Sequence, residues 1–279
     1  MSQKSYDGSP TLYLVPTPIG NLEDITLRAI KVLKNVEVVF AEDTRRTIKL
    51  FNFLKIKKKL ISAYEHNEEQ VKIKMVEYLK NNCNIALVSD GGTPLLCDPG
   101  YKCVNFVLQS GYNVVSLPGP SALISALVGS NIQTQPFVFY GFLNSKMSKR
   151  KKELEMMKNN EYTIIFYETA RRIYKTLEEV LNILGNRKIC ITREISKFYE
   201  EIYRGKISEI KEQVKDVKGE IVVIIEGKKN NFIEEDLDLL EHVDMYINSG
   251  YSIKEAVKNV AKKRNVSKKD LYKKYHIRK

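Results

Sequence analysis

The chain has 279 residues, 43% of them hydrophobic, which suffices for two modest α/β halves and excludes global disorder. The four cysteines (Cys83, Cys97, Cys103, Cys190) form no C-x-x-C pair and the three histidines are scattered, which argues against a structural zinc site and suits a reducing cytoplasm. Net charge is +12, and residues 252–279 hold eleven Lys/Arg against two acids, Glu255 and Asp270, a local balance of +9 that points to a polyanionic partner.

In chain order, the first ten residues contain no apolar run, so no secretory signal is expected. Strands are expected at Leu12–Val15, Val36–Phe40, Leu60–Tyr64, Ile85–Ser89 and Val114–Leu117. Amphipathic helical segments alternate with them at Thr26–Lys34, Thr44–Leu54, Gln70–Asn81 and Val104–Gln109. Such alternation predicts a mainly parallel sheet covered by helices. The longest apolar stretch, Val114 to Val128, is broken by Pro118, Gly119 and Pro120 and does not read as a membrane span.

A boundary is expected near Asn131–Pro136. Beyond it, strand patterns at Phe137–Phe142, Thr163–Tyr167, Lys188–Arg193, Tyr199–Arg204 and Ile221–Ile225 surround one long helix, Ala170–Leu184. Consecutive strands predict a mixed sheet. After the polar break 227–231, a helix is expected over Glu234–Ile247. Two S-x-x-[DE] capping boxes, Ser252…Glu255 and Ser267…Asp270, then predict two short helices joined by Arg264–Val266 as a helix-turn-helix. Its buried stripe would be Ile253, Ala256, Val257, Val260 and Ala261, leaving lysines such as Lys262, Lys263, Lys268 and Lys269 facing outward; a merely solvated Lys-rich helix is the plainer alternative. The expected division is thus an N-terminal α/β half (1–133), a C-terminal α/β half (134–228) and a basic helical appendage (232–279).

Chemistry concentrates at strand ends. Ser89-Asp90-Gly91-Gly92-Thr93-Pro94, continuing through Cys97 and Asp98 to Gly100, follows an apolar strand directly, where open α/β sheets bind ligands. Paired glycines allow close backbone approach, and Asp90 and Asp98 can accept hydrogen bonds or offset a cation. Pro118-Gly119-Pro120-Ser121-Ala122 follows the next strand and brings helix-start N–H groups to the same edge. Pro16–Leu22 after the first strand matches neither a dinucleotide fingerprint nor a Walker loop. Glu42 and Asp43 open a helix, followed by Arg45 and Arg46, an unfavoured place for arginine that suits phosphate contact. Tyr167-Glu168 with Arg171-Arg172, and Arg193-Glu194 with Lys197, repeat the arrangement.

The ordered set PTPIGNLEDITLRA, AEDTRRT, SDGGTPLLCDPG, LPGPSALISAL, FYGFL, FYETARRI, TREISK and GEIVVIIEG resembles the ribosomal small-subunit RNA cytidine-2′-O-methyltransferase family, a branch of the tetrapyrrole-methylase-like superfamily. The resemblance covers about residues 11–227, and the basic tail resembles that family's C-terminal helix-turn-helix. It implies a two-domain tetrapyrrole-methylase-like α/β fold, a homodimer, and S-adenosylmethionine held between the domains. The cofactor neighbourhood it implies is Asp90, Gly92, Thr93, Leu96, Ser121, Ala122 and Tyr167. The family's first motif commonly has alanine where Gly91 stands here. The implied reaction is 2′-O-methylation of a cytidine in the decoding region of 16S rRNA, with the small ribosomal subunit as partner, in the cytoplasm.

Such a transfer is an in-line displacement that needs no metal. Candidate bases are Glu42, Asp43, Asp90 and Glu168, with Arg45 or Lys197 to stabilise the developing oxyanion. RNA contacts are expected from Arg45, Arg46, Arg171, Arg172, Lys197, the run Lys146–Lys152 and the tail lysines, with Tyr64, Tyr140 and Phe142 as stacking candidates. Competing readings are a methyltransferase of the same fold acting on a tetrapyrrole, a non-catalytic RNA-binding protein, and a DNA-binding regulator using the tail.

Overall fold

The computed structural model describes residues 3–5, 7–229 and 238–277. Residues Met1–Lys228 form one compact unit and Lys229–Lys279 a second.

The first unit opens with five parallel strands: β1 (Thr11–Leu14), β2 (Val38–Ala41), β3 (Lys59–Ser62), β4 (Ile85–Val88) and β5 (Asn113–Ser116). Their order in the sheet is β3-β2-β4-β1-β5, with Leu12 opposite both Ile85 and Val114. The helices α1 (Leu27–Asn35), α2 (Thr44–Phe53), α3 (Glu68–Lys80) and α4 (Tyr101–Gln109) connect them. Strand alternation sorts the side chains by face. Leu12, Leu14, Val38, Phe40 and Ile85 pack with Met75, Leu79 and Val107 from α3 and α4. Val39, Ala41, Ala86 and Val88 pack with Ala29, Leu33, Leu50 and Phe51 from α1 and α2. Both faces are thereby buried, which is why these strands read as near-continuous apolar runs.

The second sheet is mixed. It contains β6 (Phe137–Phe142), β7 (Thr163–Thr169), β8 (Lys188–Arg193), β9 (Glu201–Lys206) and β10 (Glu220–Ile225), in the order β6-β7-β10-β8-β9. Only β6 and β7 run parallel; the other pairs are antiparallel. Helices α6 (Met147–Met157), α7 (Ala170–Leu184) and α8 (Ile207–Gln213) cover one face through Leu154, Ile173, Leu177, Val180 and Ile210. The other face receives α5 (Ala122–Gly129), whose Leu123, Ala126 and Leu127 meet Ile165, Cys190, Val222 and Ile224. Helix α5 thus follows directly on the first sheet but packs on the second, linking the two halves along the chain.

The strand and helix boundaries of the first unit lie within three residues of the sequence expectations, and those of Phe137–Phe142, Lys188–Arg193 and Ala170–Leu184 coincide with them. Helices α6 and α8 lie outside the elements anticipated, whereas α5 begins at the helix start expected around Pro120-Ser121. The lysine run 146–152 falls mainly within α6, and its Arg150 points into the protein, 5% exposed.

The second unit holds α9 (Leu239–Asn248), α10 (Ile253–Lys263) and α11 (Lys268–Ile277). The start expected at Glu234 lies outside the described residues. The Ser252–Glu255 capping box forms as expected, and Ser267 accepts from the Asp270 N–H at 3.4 Å. Ala256, Val257, Val260 and Ala261 are buried against Val243, Leu271 and Tyr275, with Ile253 partly buried beside them. Asn265 takes the left-handed conformation (φ 50°) at the turn, a position that asparagine tolerates. Lys262, Lys263, Lys268 and Lys269 are exposed. Among the described residues no helix is long and apolar enough to cross a membrane.

Candidate active site

The carboxyl ends of a parallel sheet gather the loops that follow its strands. Here the order β2-β4-β1 places the loop after β4 between those after β2 and β1. Thr17 and Gly92 exchange backbone hydrogen bonds at 2.9 and 2.8 Å, so the first and fourth loops form a single wall. The Thr17 hydroxyl donates to Ser89 O at 3.1 Å, and the Thr93 hydroxyl donates to Pro120 O at 3.2 Å, tying in the fifth loop. Ser121 caps α5.

Between this wall and the second sheet lies a cleft of about 480 Å³. Asp90, Gly91, Gly92, Thr93, Leu96, Cys97 and Asp98 line one side, with Pro18, Ile19, Glu42 and Arg46. Ser121 and Ala122 line its end, and Phe142, Tyr167, Ile195, Lys197 and the start of β10 line the opposite side. All seven residues of the implied cofactor neighbourhood therefore border one cavity. A second groove, of about 410 Å³, lies at the strand starts around Tyr13, Lys31 and Asn84 and includes none of the residues expected to act.

The electrostatic centre is a group of three carboxylates. Asp90 accepts from the Asp43 N–H at 3.0 Å and faces the Arg46 guanidinium at 3.4 Å. Glu42 accepts from the Asp90 N–H at 3.4 Å. Burial, reinforced by Asp90 and Asp98, holds the Glu42 carboxyl above the usual carboxylate range. Burial likewise raises Asp98, which Ser89 partly offsets by hydrogen bonding. Tyr167 packs edge-on against Phe139 and Phe142 at 5.0 and 5.5 Å, and burial pushes its phenol up to about 12. It remains a neutral hydroxyl at any physiological pH.

The other candidate bases are placed differently. Asp43 caps α2 and is gripped by its neighbour: its carboxylate accepts from the Arg45 N–H at 2.9 Å and from the Arg45 guanidinium at 2.7 Å. Those hydrogen bonds lower it to about 2, too weak a base to take a proton near neutrality. Glu168 also borders the cleft, but it follows Tyr167 on β7, so alternation turns its carboxylate to the α7 face, away from Tyr167. There it accepts from the Thr169 N–H at 2.7 Å and the Thr176 hydroxyl at 2.8 Å and pairs with Arg172 at 3.1 Å. Arg172 also donates to Leu143 O at 2.8 Å, so it is engaged in structure, whereas Arg171, Arg45 and Arg46 are exposed. Lys197 reaches the cleft between two carboxylates, Glu194 at 2.8 Å and Glu220 at 2.9 Å. Burial alone would lower its pKa, but these two acids raise it. Of the aromatic candidates Phe142 borders the cleft; Tyr64 and Tyr140 are not among its lining residues.

Sequence alone gave no role to Gly219, Glu220, Ile195 or Ile19. The signal available for the first two was the motif GEIVVIIEG, whose leading Gly-Glu starts the central strand of the second sheet.

The paired glycines differ. Gly92 has φ +88°, where a side chain is strained. Gly91 does not, and a Cβ there would meet nothing closer than Pro18 O at 3.4 Å. Gly91→Ala is therefore expected to stabilise the fold by about 0.4–1 kcal/mol through the unfolded state. Gly92→Ala is expected to destabilise it. Urea titration of both variants checks this, and an equal loss in both would show that the loop needs glycine at each position.

A family model described as tetrapyrrole (corrin/porphyrin) methylases matches residues 11–211. Among solved structures, uroporphyrin-III C-methyltransferase from Thermus thermophilus, complexed with S-adenosylhomocysteine, superposes with a TM-score of 0.56 at 19% identity, covering 77% of this chain and 97% of that one. A cobalt precorrin-4 methyltransferase of cobalamin biosynthesis gives 0.59 at 14% identity, covering 77% and 94%. Fold and family model together define a protein of the tetrapyrrole methylase class. Proteins named ribosomal RNA small subunit methyltransferase I are similar over nearly the whole length. That of Bacillus subtilis is 46% identical over 99% of this chain and 98% of its own, and that of Halalkalibacterium halodurans is 43% identical over 99% of both. The chain belongs to the ribosomal RNA small subunit methyltransferase I family, within the tetrapyrrole methylases.

Proposed function

We propose that this protein transfers the methyl group of S-adenosylmethionine to RNA of the small ribosomal subunit, and that the acceptor is a cytidine ribose 2′-oxygen in the decoding region of 16S rRNA. The observation that carries the reading is the gathering of the seven motif residues around one carboxylate-bearing cleft in a chain with full-length relatives of that name. The reading implies action in the cytoplasm, as a homodimer.

The residues present fit the cofactor. Ile19, Leu96, Ala122 and Val222 supply apolar wall, Gly92 gives close backbone approach, and Asp90 and Asp98 supply negative charge suited to a sulfonium and an ammonium group. When bound, the cofactor supplies an electrophilic methyl carbon. Gly92, Thr93, Leu96, Ser121, Ala122 and Tyr167 would hold it, and positioning contributes much of the rate. Glu42 is the base: it lies in the cleft, and its raised pKa brings its proton affinity closer to that of its working medium. Lys197 and Arg46 stand nearby to offset the charge developing on the acceptor oxygen.

The sign of the pH dependence follows. Glu42 must be unprotonated to act, so activity climbs as pH rises through a value above the ordinary carboxylate range. Glu42→Gln is expected to cut kcat by roughly 100- to 10,000-fold and to remove that acidic limb. The raised pKa also means that the folded state binds the extra proton, so the stability gained from protonation is lost as pH rises through it. A kcat profile whose acidic limb persists in the Gln variant assigns the base elsewhere.

The tail lysines serve the RNA phosphates. Changing Lys262, Lys263, Lys268 and Lys269 to glutamine is expected to flatten the salt dependence of RNA binding by about 0.7 in log–log slope for each phosphate no longer neutralised, with S-adenosylhomocysteine affinity retained. An unchanged slope removes the tail from the interface.

The direct test is transfer of label from radiolabelled S-adenosylmethionine to small subunits lacking the modification, beside free rRNA and a tetrapyrrole precursor. Label at a ribose 2′-oxygen supports the proposal; label only in the small molecule overturns it.

A further inference from the structure

The loop between β8 and β9 carries two aromatic side chains in water. Phe198 is 93% exposed and Tyr199 69%, their rings perpendicular with centroids 5.0 Å apart. A phenyl ring gains nothing from that position in the isolated chain, since burying it would be worth on the order of 1.5–3 kcal/mol.

The loop is nevertheless held in place on both sides of its tip. Before the tip, Glu194 and Ser196 adopt positive φ (52° and 67°). The Lys197 N–H donates to Glu194 O at 2.9 Å, and the Glu194 carboxylate accepts from the Glu220 N–H at 2.9 Å. The Ser196 hydroxyl donates to Asp24 of the first-strand loop. After the tip, Arg193 donates to Tyr199 O at 3.2 Å, and the Glu200 N–H donates to Lys197 O at 3.1 Å. Ile195 and Lys197 line the cleft, and Phe198 and Tyr199 follow Lys197 directly in the chain. The nearby acids Glu194, Glu201 and Glu220 are paired with Lys197 or Arg193, and Glu200 accepts from the Ser196 N–H at 2.5 Å, while the two rings touch each other alone among the ring contacts of the described residues.

We propose that Phe198 and Tyr199 form a stacking platform for an unpaired nucleobase of the RNA substrate, beside the nucleotide that enters the cleft. The proposal rests on the RNA reading given above and names its recognition surface. A base has a π face whatever its sequence, and stacking is how single-stranded RNA is commonly gripped. A pre-formed platform also spares the ordering cost that a mobile loop would incur on binding.

The sequence contains no tryptophan, so Phe198→Trp gives the full-length protein a single tryptophan at the tip, excited selectively at wavelengths its sixteen tyrosines do not absorb. Titration with a single-stranded oligoribonucleotide is expected to quench that fluorescence, and a duplex of the same composition to quench it far less. In methyl-transfer assays on small subunits, Phe198→Ala is expected to raise KM roughly 5- to 100-fold, with kcat and S-adenosylhomocysteine affinity within about twofold of wild type. Phe198→Trp restores KM and Phe198→Leu does not, which separates stacking from simple apolar contact. Fluorescence indifferent to single-stranded RNA overturns the platform. So does a Phe198→Ala variant with unchanged KM whose sedimentation shifts to a smaller species, which assigns the rings to a second copy of the chain. Failure of wild-type protein to label any RNA strikes the function reading instead, and the fluorescence titration still decides the platform.

Discussion

Replacing Thr93 with arginine is expected to abolish S-adenosylmethionine binding while leaving the fold intact. Thr93 borders the cleft with its hydroxyl on Pro120 O at 3.2 Å. An arginine there loses that tie, fills space between the Gly91-Gly92 wall and α5, and sets a permanent cation in the site proposed for that cationic cofactor. Steric overpacking alone costs about 1–3 kcal/mol, and charge repulsion adds to it, so affinity should fall by roughly 100-fold or more. Thr93→Ser keeps the hydroxyl and should bind nearly as wild type. Calorimetry on both, with the circular dichroism melt as a check on folding, decides the matter. Near-normal binding by a folded Thr93→Arg protein would remove this loop from the cofactor site.

The largest stability effect is expected at Arg150 and Glu179. The Arg150 guanidinium donates to Glu179 through two nitrogens at 2.7 and 2.8 Å and reaches Asn144 O and Ser145 O at 3.2 Å, with both side chains about one-tenth exposed or less. Glu179→Ala leaves a buried cation with only carbonyl partners and should cost about 3–5 kcal/mol. The double change Arg150→Met with Glu179→Leu removes both charges and should recover part of that, the remainder reflecting the two carbonyls left without their donor. A double-mutant cycle by urea unfolding measures the coupling. If Glu179→Ala unfolds within about 1 kcal/mol of wild type, water reaches the guanidinium and the pair is a surface feature.

Much of the fold was readable because its signals are local. Apolar runs such as Ile85–Val88 mark strands buried on two faces, Ser252…Glu255 marks a helix start, and α7 shows its buried stripe at helical spacing. Two helices show no such stripe. Helix α5 is apolar along most of its length, so its buried Leu123, Ala126 and Leu127 do not stand out from the exposed Ile124 and Val128, and α6 reads as a lysine run because its buried positions, Arg150, Leu154 and Met157, are few. The candidate site was legible as a set of strand ends, and the motif residues were found there.

Sequence by itself determined the elements, the placement of charge and the set of residues at strand ends. Which of those residues act together was decided by pairing between distant segments. Inserting β4 between β2 and β1 brings Asp90 against Glu42 and Asp98 and raises Glu42, while Asp43, one residue on, is spent on its own helix cap. Docking α5 on the Ile165 face of the second sheet fixes which side of β7 meets the cleft, so Tyr167 faces it and Glu168 is turned to Thr176 and Arg172. A strand's alternation says that neighbours part; only the layer packed against it says which one meets the ligand.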